Sequence, residues 1–137
     1  MEQCKIKILW IDDEINCPKL RPYLDEFEDN DFEIIKAPNP DDVESAIASH
    51  RDIQCIIVDI LMATGTRIDV NESKKGMLTG LFVLQTLNNS IKKVVFTIRS
   101  NDEVRKYCES EQIPYLKKQD YIASTFVAEI KKIIKGQ

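Results

Sequence analysis

The chain reads KIKILWIDD over residues 5–13, an apolar run of strand length that stops at two aspartates. A second apolar run, IQCIIV over residues 53–58, is followed in the same way by Asp59. Ligands of an open parallel sheet bind at the carboxyl ends of its strands. We therefore expect Asp12, Asp13 and Asp59 to meet in one crevice.

The rest of the chain alternates strand-length apolar runs with helical patterns, which predicts βαβ units and a parallel sheet. Five strands are predicted, at 5–11, 32–36, 53–58, 93–97 and 114–117. A helix is predicted after each strand, within 18–28, 40–49, 80–87 and 101–110 and in a last segment that ends near 135. The predicted fold class is α/β, a doubly wound five-stranded parallel sheet of (βα)5 type with helices on both faces. A polar stretch at 63–79 interrupts this rhythm and is interpreted as an inserted loop in a single domain, 1–137.

Composition narrows the class of protein. The length of 137 residues fits one domain, and 43% hydrophobic with 31% charged residues is typical of a globular protein. A net charge of −4 without a basic stripe disfavours nucleic-acid binding. No apolar run approaches the ~20 residues of a membrane span, and the N-terminus has no apolar signal region, so a cytoplasmic location is expected. The four cysteines form no Cys-x-x-Cys pair and there is one histidine, which argues against a zinc site.

Charge repulsion gives the predicted crevice its chemistry. Three neighbouring carboxylates raise one another's pKa values unless a cation neutralises them. Mg²⁺ prefers oxygen ligands and commonly takes one or two carboxylates. The three acids therefore predict a Mg²⁺ site that handles a phosphoryl group, although Asp12-Asp13 taken alone is equally consistent with a solvated strand end.

Two further residues stand at the same predicted edge, because Thr97 ends the fourth strand and Lys118 follows the fifth. With them the chain resembles the receiver domain of two-component response regulators, whose fold is flavodoxin-like. The matching stretches are ILWIDDE at 8–14, IIVDILM at 56–62, VVFT at 94–97 and YLKK at 115–118. The resemblance covers almost the whole chain.

The resemblance implies a phosphoacceptor and a metal site. Asp59 would attack phosphorus and form an acyl phosphate. Asp13 would bind Mg²⁺ directly and Asp12 through water, with Asp59 and the backbone carbonyl of Leu61 as further ligands.

The same resemblance assigns roles to three other residues. Lys118 would pair with Asp59 at rest and with a phosphoryl oxygen afterwards. The hydroxyl of Thr97 would bond the new phosphoryl group. Tyr115 would follow this threonine and pass the change to the face formed by residues 100–135.

Some positions depart from the receiver pattern. Gln119 stands where receivers usually have a proline after a cis peptide bond, so the Lys118 loop is expected either to run trans or to store strain. Lys117 is a competing assignment, but alternation along a strand would point it to the opposite side. Ile98 replaces a small residue, and its bulk could crowd the phosphoryl pocket. Ala63 replaces another usual proline.

The function implied by the resemblance is signalling rather than catalytic turnover. A histidine kinase or phosphotransfer protein would donate a phosphoryl group, and this would alter the binding of a downstream partner to the face formed by residues 100–135. The same face could also form a homodimer. The domain would assist only its own phosphorylation and dephosphorylation. An alternative, motivated by Ile98, Gln119 and the insertion, is an interaction module of receiver fold that works without phosphorylation. A third class is a Mg²⁺-dependent hydrolase that recruits Asp69 and Glu72.

Overall fold

The structure is a computed structural model that describes residues 5–60, 79–87, 91–98 and 101–136. Leu61 and all but the last residue of the predicted insertion lie outside these ranges. So do the competing site acids Asp69 and Glu72 and the position of Ala63.

The described residues form one parallel sheet in the order β2-β1-β3-β4-β5. Its strands are β1 (Ile6–Ile11), β2 (Phe32–Ala37), β3 (Ile53–Val58), β4 (Lys92–Thr97) and β5 (Tyr115–Lys117). In this order β2 lies on one side of β1, whereas β3, β4 and β5 lie on the other. The direction in which successive strands are added to the sheet therefore reverses between β1 and β3. Ligands of such sheets bind at this reversal, and the predicted fold class is confirmed.

Five helices follow the strands: α1 (Arg21–Asp29), α2 (Val43–Ser49), α3 (Thr79–Thr86), α4 (Asp102–Glu111) and α5 (Ala123–Ile134). Among the described helices, none is both long and apolar enough to cross a membrane. The first two helices start later than predicted, because Pro18–Leu20 and Pro40–Asp42 form short 3-10 turns ahead of them. The cap of α4 is Asn101, whose side chain accepts a hydrogen bond from the backbone amide of Val104 at 3.1 Å.

Alternate strand residues build a core on each face of the sheet, because successive side chains of a strand point to opposite sides. One core is aliphatic and lies under α2, α3 and α4, with members such as Leu9, Ile56 and Val95. The other lies under α1 and α5 and is rich in aromatic rings; these include Trp10, Phe27, Phe96 and Phe126. Burial of this much apolar side chain on both faces fixes the strands, and with them the residues at their carboxyl ends.

Candidate functional site

Backbone hydrogen bonds hold the ends of β1 and β3 side by side. The amide of Asp12 donates to the carbonyl of Ala37 at 3.1 Å, and the amide of Asp59 donates to the carbonyl of Ile11 at 2.9 Å. Both aspartates thus continue the ladder one residue past their strands. Their side chains leave the sheet at neighbouring positions, as the sequence predicted.

The three predicted acids do form one cluster. One carboxylate oxygen each from Asp12, Asp13 and Asp59 lies within 4.8 Å of the others. Asp12 is fully buried, Asp59 is 6% exposed, and Asp13 is exposed. The cluster therefore has a buried floor and a solvent-facing edge.

The ammonium group of Lys118 enters this cluster from the end of β5. Its Nζ donates to Asp12 Oδ2 at 2.8 Å and to Asp59 Oδ2 at 3.4 Å. Lys118 is thus the lysine whose ammonium contacts the acids, in agreement with its preference over Lys117 in the sequence. The structure contains no cis peptide bond among its described residues, so the Lys118–Gln119 bond is trans, which is one of the two expected outcomes.

Burial and charge set the protonation of the cluster. Burial, followed by the charge of Asp12, raises the pKa of Asp59 from its ordinary 3.8 to about 6, while Lys118 and the Thr97 hydroxyl oppose the rise. Burial alone would lower the pKa of Lys118, but the charges of Asp59 and Asp12 outweigh it and raise that pKa. With a pKa of about 6, Asp59 is largely ionised at neutral pH and faces the Lys118 ammonium.

Thr97 lies buried beside the Asp59 carboxylate. Its hydroxyl is close enough to oppose the rise in the pKa of Asp59, yet Oγ1 makes no hydrogen bond of ordinary geometry with any described group. We interpret it as a nearby dipole that stabilises the charged carboxylate. A buried hydroxyl without a partner costs free energy, so this one is suited to an acceptor that arrives later.

Ile98 does not fill the buried part of the site, because 54% of its surface is exposed. Crowding of the phosphoryl pocket by its bulk, with any effect on access to the site, stays a prediction. The Leu61 carbonyl, predicted as a metal ligand, lies outside the described residues.

Tyr115 links the site's edge to α4. Its hydroxyl oxygen accepts a hydrogen bond from the backbone amide of Asn101 at 3.2 Å. The ring thus contacts the residue that caps α4. A relay through Tyr115 stays a prediction.

Sequence reasoning missed three features that shape the site. The backbone amide of Glu14 donates a hydrogen bond to Asp12 Oδ1 at 2.9 Å. This is an Asx turn, which the aspartate at the end of a predicted strand could have indicated. The Glu14 side chain also pairs with Lys19. Gly80 lies so close to the loop after β3 that an added Cβ would be 2.2 Å from the carbonyl oxygen of Asp59.

Comparison with known proteins places this fold in a known class. No protein-family model matches the sequence, and no curated protein matches it. Solved structures do: a CheY-like response regulator receiver domain protein from Methanospirillum hungatei aligns with a TM-score of 0.71 and 16% identity, covering 96% of this chain and 95% of that one. A response regulator from Thermotoga maritima gives 0.70 and 15%, covering 96% and 98%.

The BeF3-activated receiver domain of Klebsiella pneumoniae RstA aligns with a TM-score of 0.69 and 15% identity, covering 93% of this chain and 97% of that one. Identities this low establish the fold rather than the activity. The chain has the fold of CheY-like response regulator receiver domains over nearly its whole length. The resemblance noted from the sequence is confirmed at that level.

Proposed function

We propose that this chain is a phosphorylatable receiver that accepts a phosphoryl group on Asp59. The observation that carries the proposal is the cluster of Asp12, Asp13 and Asp59 around Lys118 at the carboxyl edge of a receiver-type sheet. A structural ion-pair network would need only one acid for one lysine. Three carboxylates instead leave a surplus of negative charge that calls for a further cation.

The donor set fits Mg²⁺, since it consists of carboxylate oxygens alone. With all acids ionised, the three carboxylates and the Lys118 ammonium sum to the charge that one divalent cation would neutralise. Asp12, Asp13 and Asp59 would hold the ion. Bound Mg²⁺ would reduce the repulsion between the anionic nucleophile and an anionic phosphoryl group.

The transfer step follows from the placement of Asp59. One of its carboxylate oxygens attacks phosphorus in line, forming a P–O bond as the P–N bond to a donor imidazole breaks. The ammonium of Lys118 is already 3.4 Å from that carboxylate, so it can pair with a phosphoryl oxygen. The unpartnered hydroxyl of Thr97 can donate to another.

The proposal also covers the phosphodonor, the cofactor, the output partner and the location of the chain. The donor would be a histidine kinase or a histidine phosphotransfer protein, and Mg²⁺ the cofactor. Output would pass through a downstream protein, or a second copy, that binds the 100–135 face in the cytoplasm. The Tyr115 hydroxyl bonded to Asn101 supports this direction of output, because it joins the site's edge to α4.

Intact mass spectrometry tests the proposal. We expect wild type incubated with acetyl phosphate and Mg²⁺ to gain one phosphoryl group, and Asp59→Asn and Asp59→Ala to gain none. Asp29→Asn, an exposed aspartate of α1, is the matched control and should behave as wild type. An unmodified wild type beside a competent receiver would refute the proposal.

The other two readings predict different outcomes. An interaction module that works without phosphorylation would bind its partner equally well as wild type and as Asp59→Asn. A hydrolase would turn over generic phosphoesters with Mg²⁺, whereas a receiver would not.

A further inference from the structure

The β4–β5 edge carries a contact that extends the sheet beyond its backbone pairing. The last backbone pair between these strands joins Thr97 and Lys117. Beyond this pair, one residue after Thr97 and two after Lys117, the side-chain amide Nε2 of Gln119 donates to the carbonyl oxygen of Ile98 at 3.2 Å. A side chain thus continues the connection between the two strands where the main chain stops.

This contact lies at the turn whose backbone carries Lys118. Lys118 opens a single 3-10 turn, Lys118–Asp120, on a trans peptide bond. The amide of Tyr121 donates back to the Lys118 carbonyl at 3.4 Å, beyond the usual length of an N–H···O bond. The turn therefore holds itself weakly, and Gln119 anchors it to the neighbouring strand.

The two ends of this hydrogen bond are each one residue from a site side chain. Ile98 follows Thr97, and Gln119 follows Lys118. The bond therefore limits how far the Thr97 hydroxyl and the Lys118 ammonium can move apart. Its position at the surface leaves it open to substitution without disturbing the core, since Gln119 and Ile98 are both exposed.

We propose that Gln119 is a positioning residue, whose side-chain amide bonds the Ile98 carbonyl and so holds Lys118 within reach of Asp12 and Asp59. The effect of Gln119 on the position of Lys118 follows from the geometry alone. Its consequence for phosphoryl transfer rests on the function proposed above.

Two substitutions remove the donor in different ways. Gln119→Met keeps the length of the side chain without polarity, and Gln119→Glu keeps its shape but replaces the amide donor with a carboxylate. Gln85→Met is the matched control, because Gln85 is an exposed glutamine on α3. Circular dichroism verifies that all variants are folded.

The first measurement needs neither metal nor phosphodonor. In EDTA, the ¹⁵N-correlated NMR signal of the Lys118 ammonium, assigned by its loss in Lys118→Met, should be sharp in wild type and in Gln85→Met. It should broaden or shift in both Gln119 variants. An unchanged signal in those two variants would overturn the proposal.

The second measurement concerns the reaction. The rate of phosphorylation by acetyl phosphate should fall about threefold to tenfold in both Gln119 variants, the effect of losing one hydrogen bond of ordinary strength. Half-saturation with Mg²⁺, followed by Trp10 fluorescence, should stay within about twofold, as expected when the acids are intact. An undiminished rate would refute the catalytic consequence. A wild type that takes no phosphoryl group would refute the proposed function, while the ammonium signal would still decide the role of Gln119.

Discussion

Replacing Gly80 by alanine tests how the loop that carries Asp59 is held. Gly80 is the second residue of α3, and its amide donates to the carbonyl of Ile60 at 2.9 Å. A Cβ at this position would lie 2.2 Å from the Asp59 carbonyl oxygen and 2.6 Å from Ile60 Cα. Both contacts are with backbone, so no side-chain rotation can relieve them, and the start of α3 must move away from the loop.

The expected cost combines three effects. Overpacking a tight contact costs about 1–3 kcal/mol, and stretching or losing the hydrogen bond to Ile60 costs about 1 kcal/mol. Alanine's better helix propensity returns up to about 1 kcal/mol. We therefore expect Gly80→Ala to lower the free energy of unfolding by about 2 kcal/mol, roughly a 5–10 °C fall in melting temperature for a domain of this size.

Urea unfolding, followed by circular dichroism, gives this number directly. Gln85→Ala, an exposed substitution in the same helix, is the control and should change the free energy by less than about 0.5 kcal/mol. The displaced loop should also weaken Mg²⁺ binding and slow phosphorylation of Asp59. If Gly80→Ala is as stable as wild type or more stable, as helix propensity alone predicts, the close approach of α3 to the loop is refuted.

Three other substitutions follow from the structure. Because the pKa of Asp59 is raised from 3.8 to about 6 in the folded protein, the folded state binds a proton more readily than the unfolded chain, and this residue's contribution to stability falls as pH rises through that window. In EDTA, the stability of Asp59→Asn relative to wild type should therefore increase from pH 4 to pH 7, by up to about 3 kcal/mol. A difference in urea midpoint between the two proteins that is the same at pH 4 and at pH 7 would contradict this. Gln112 follows the last residue of α4 and caps it with a φ of 58°. Gln112→Gly should therefore raise the free energy of unfolding by about 0.5–1 kcal/mol, measured by the same unfolding curves, and a destabilised variant would disprove it. The buried indole nitrogen of Trp10 has no hydrogen-bond partner among the described groups. Trp10→Phe removes this unsatisfied polar group, which should offset much of the cost of the lost volume, so we expect a net loss of stability below about 2 kcal/mol in thermal unfolding. A loss of about 3–5 kcal/mol, typical of a large cavity, would show that the nitrogen is satisfied.

The sequence allowed the fold and the grouping of the three acids with Lys118 to be predicted, because both depend on where strands end. Asp12 and Asp59 each follow directly after an apolar run, and parallel pairing brings such ends together. Lys118 could be preferred to Lys117 for a related reason, since neighbouring side chains of an extended segment point to opposite sides. These are local rules that need no knowledge of contacts between distant segments.

The details that the sequence did not reveal depend on register and side-chain reach. Lys118 lies nearer to Asp12 than to Asp59, 2.8 Å against 3.4 Å, although the resemblance pairs it with Asp59 at rest. In the sequence Gln119 is recognisable only as a replaced proline, because its bond to Ile98 spans 21 positions of the chain. The need for glycine at position 80 likewise follows from the approach of two backbones, which no pattern in one segment records.

The unequal composition of the two cores has a consequence for spectroscopy. The chain has one tryptophan, and it lies on the side of the sheet covered by α1 and α5, where its ring contacts Phe27, Phe96 and Phe126. Fluorescence therefore observes one half of the molecule and is nearly blind to loosening of α2, α3 and α4 on the other. An opening confined to that second half would register in amide hydrogen exchange while the emission spectrum stayed constant.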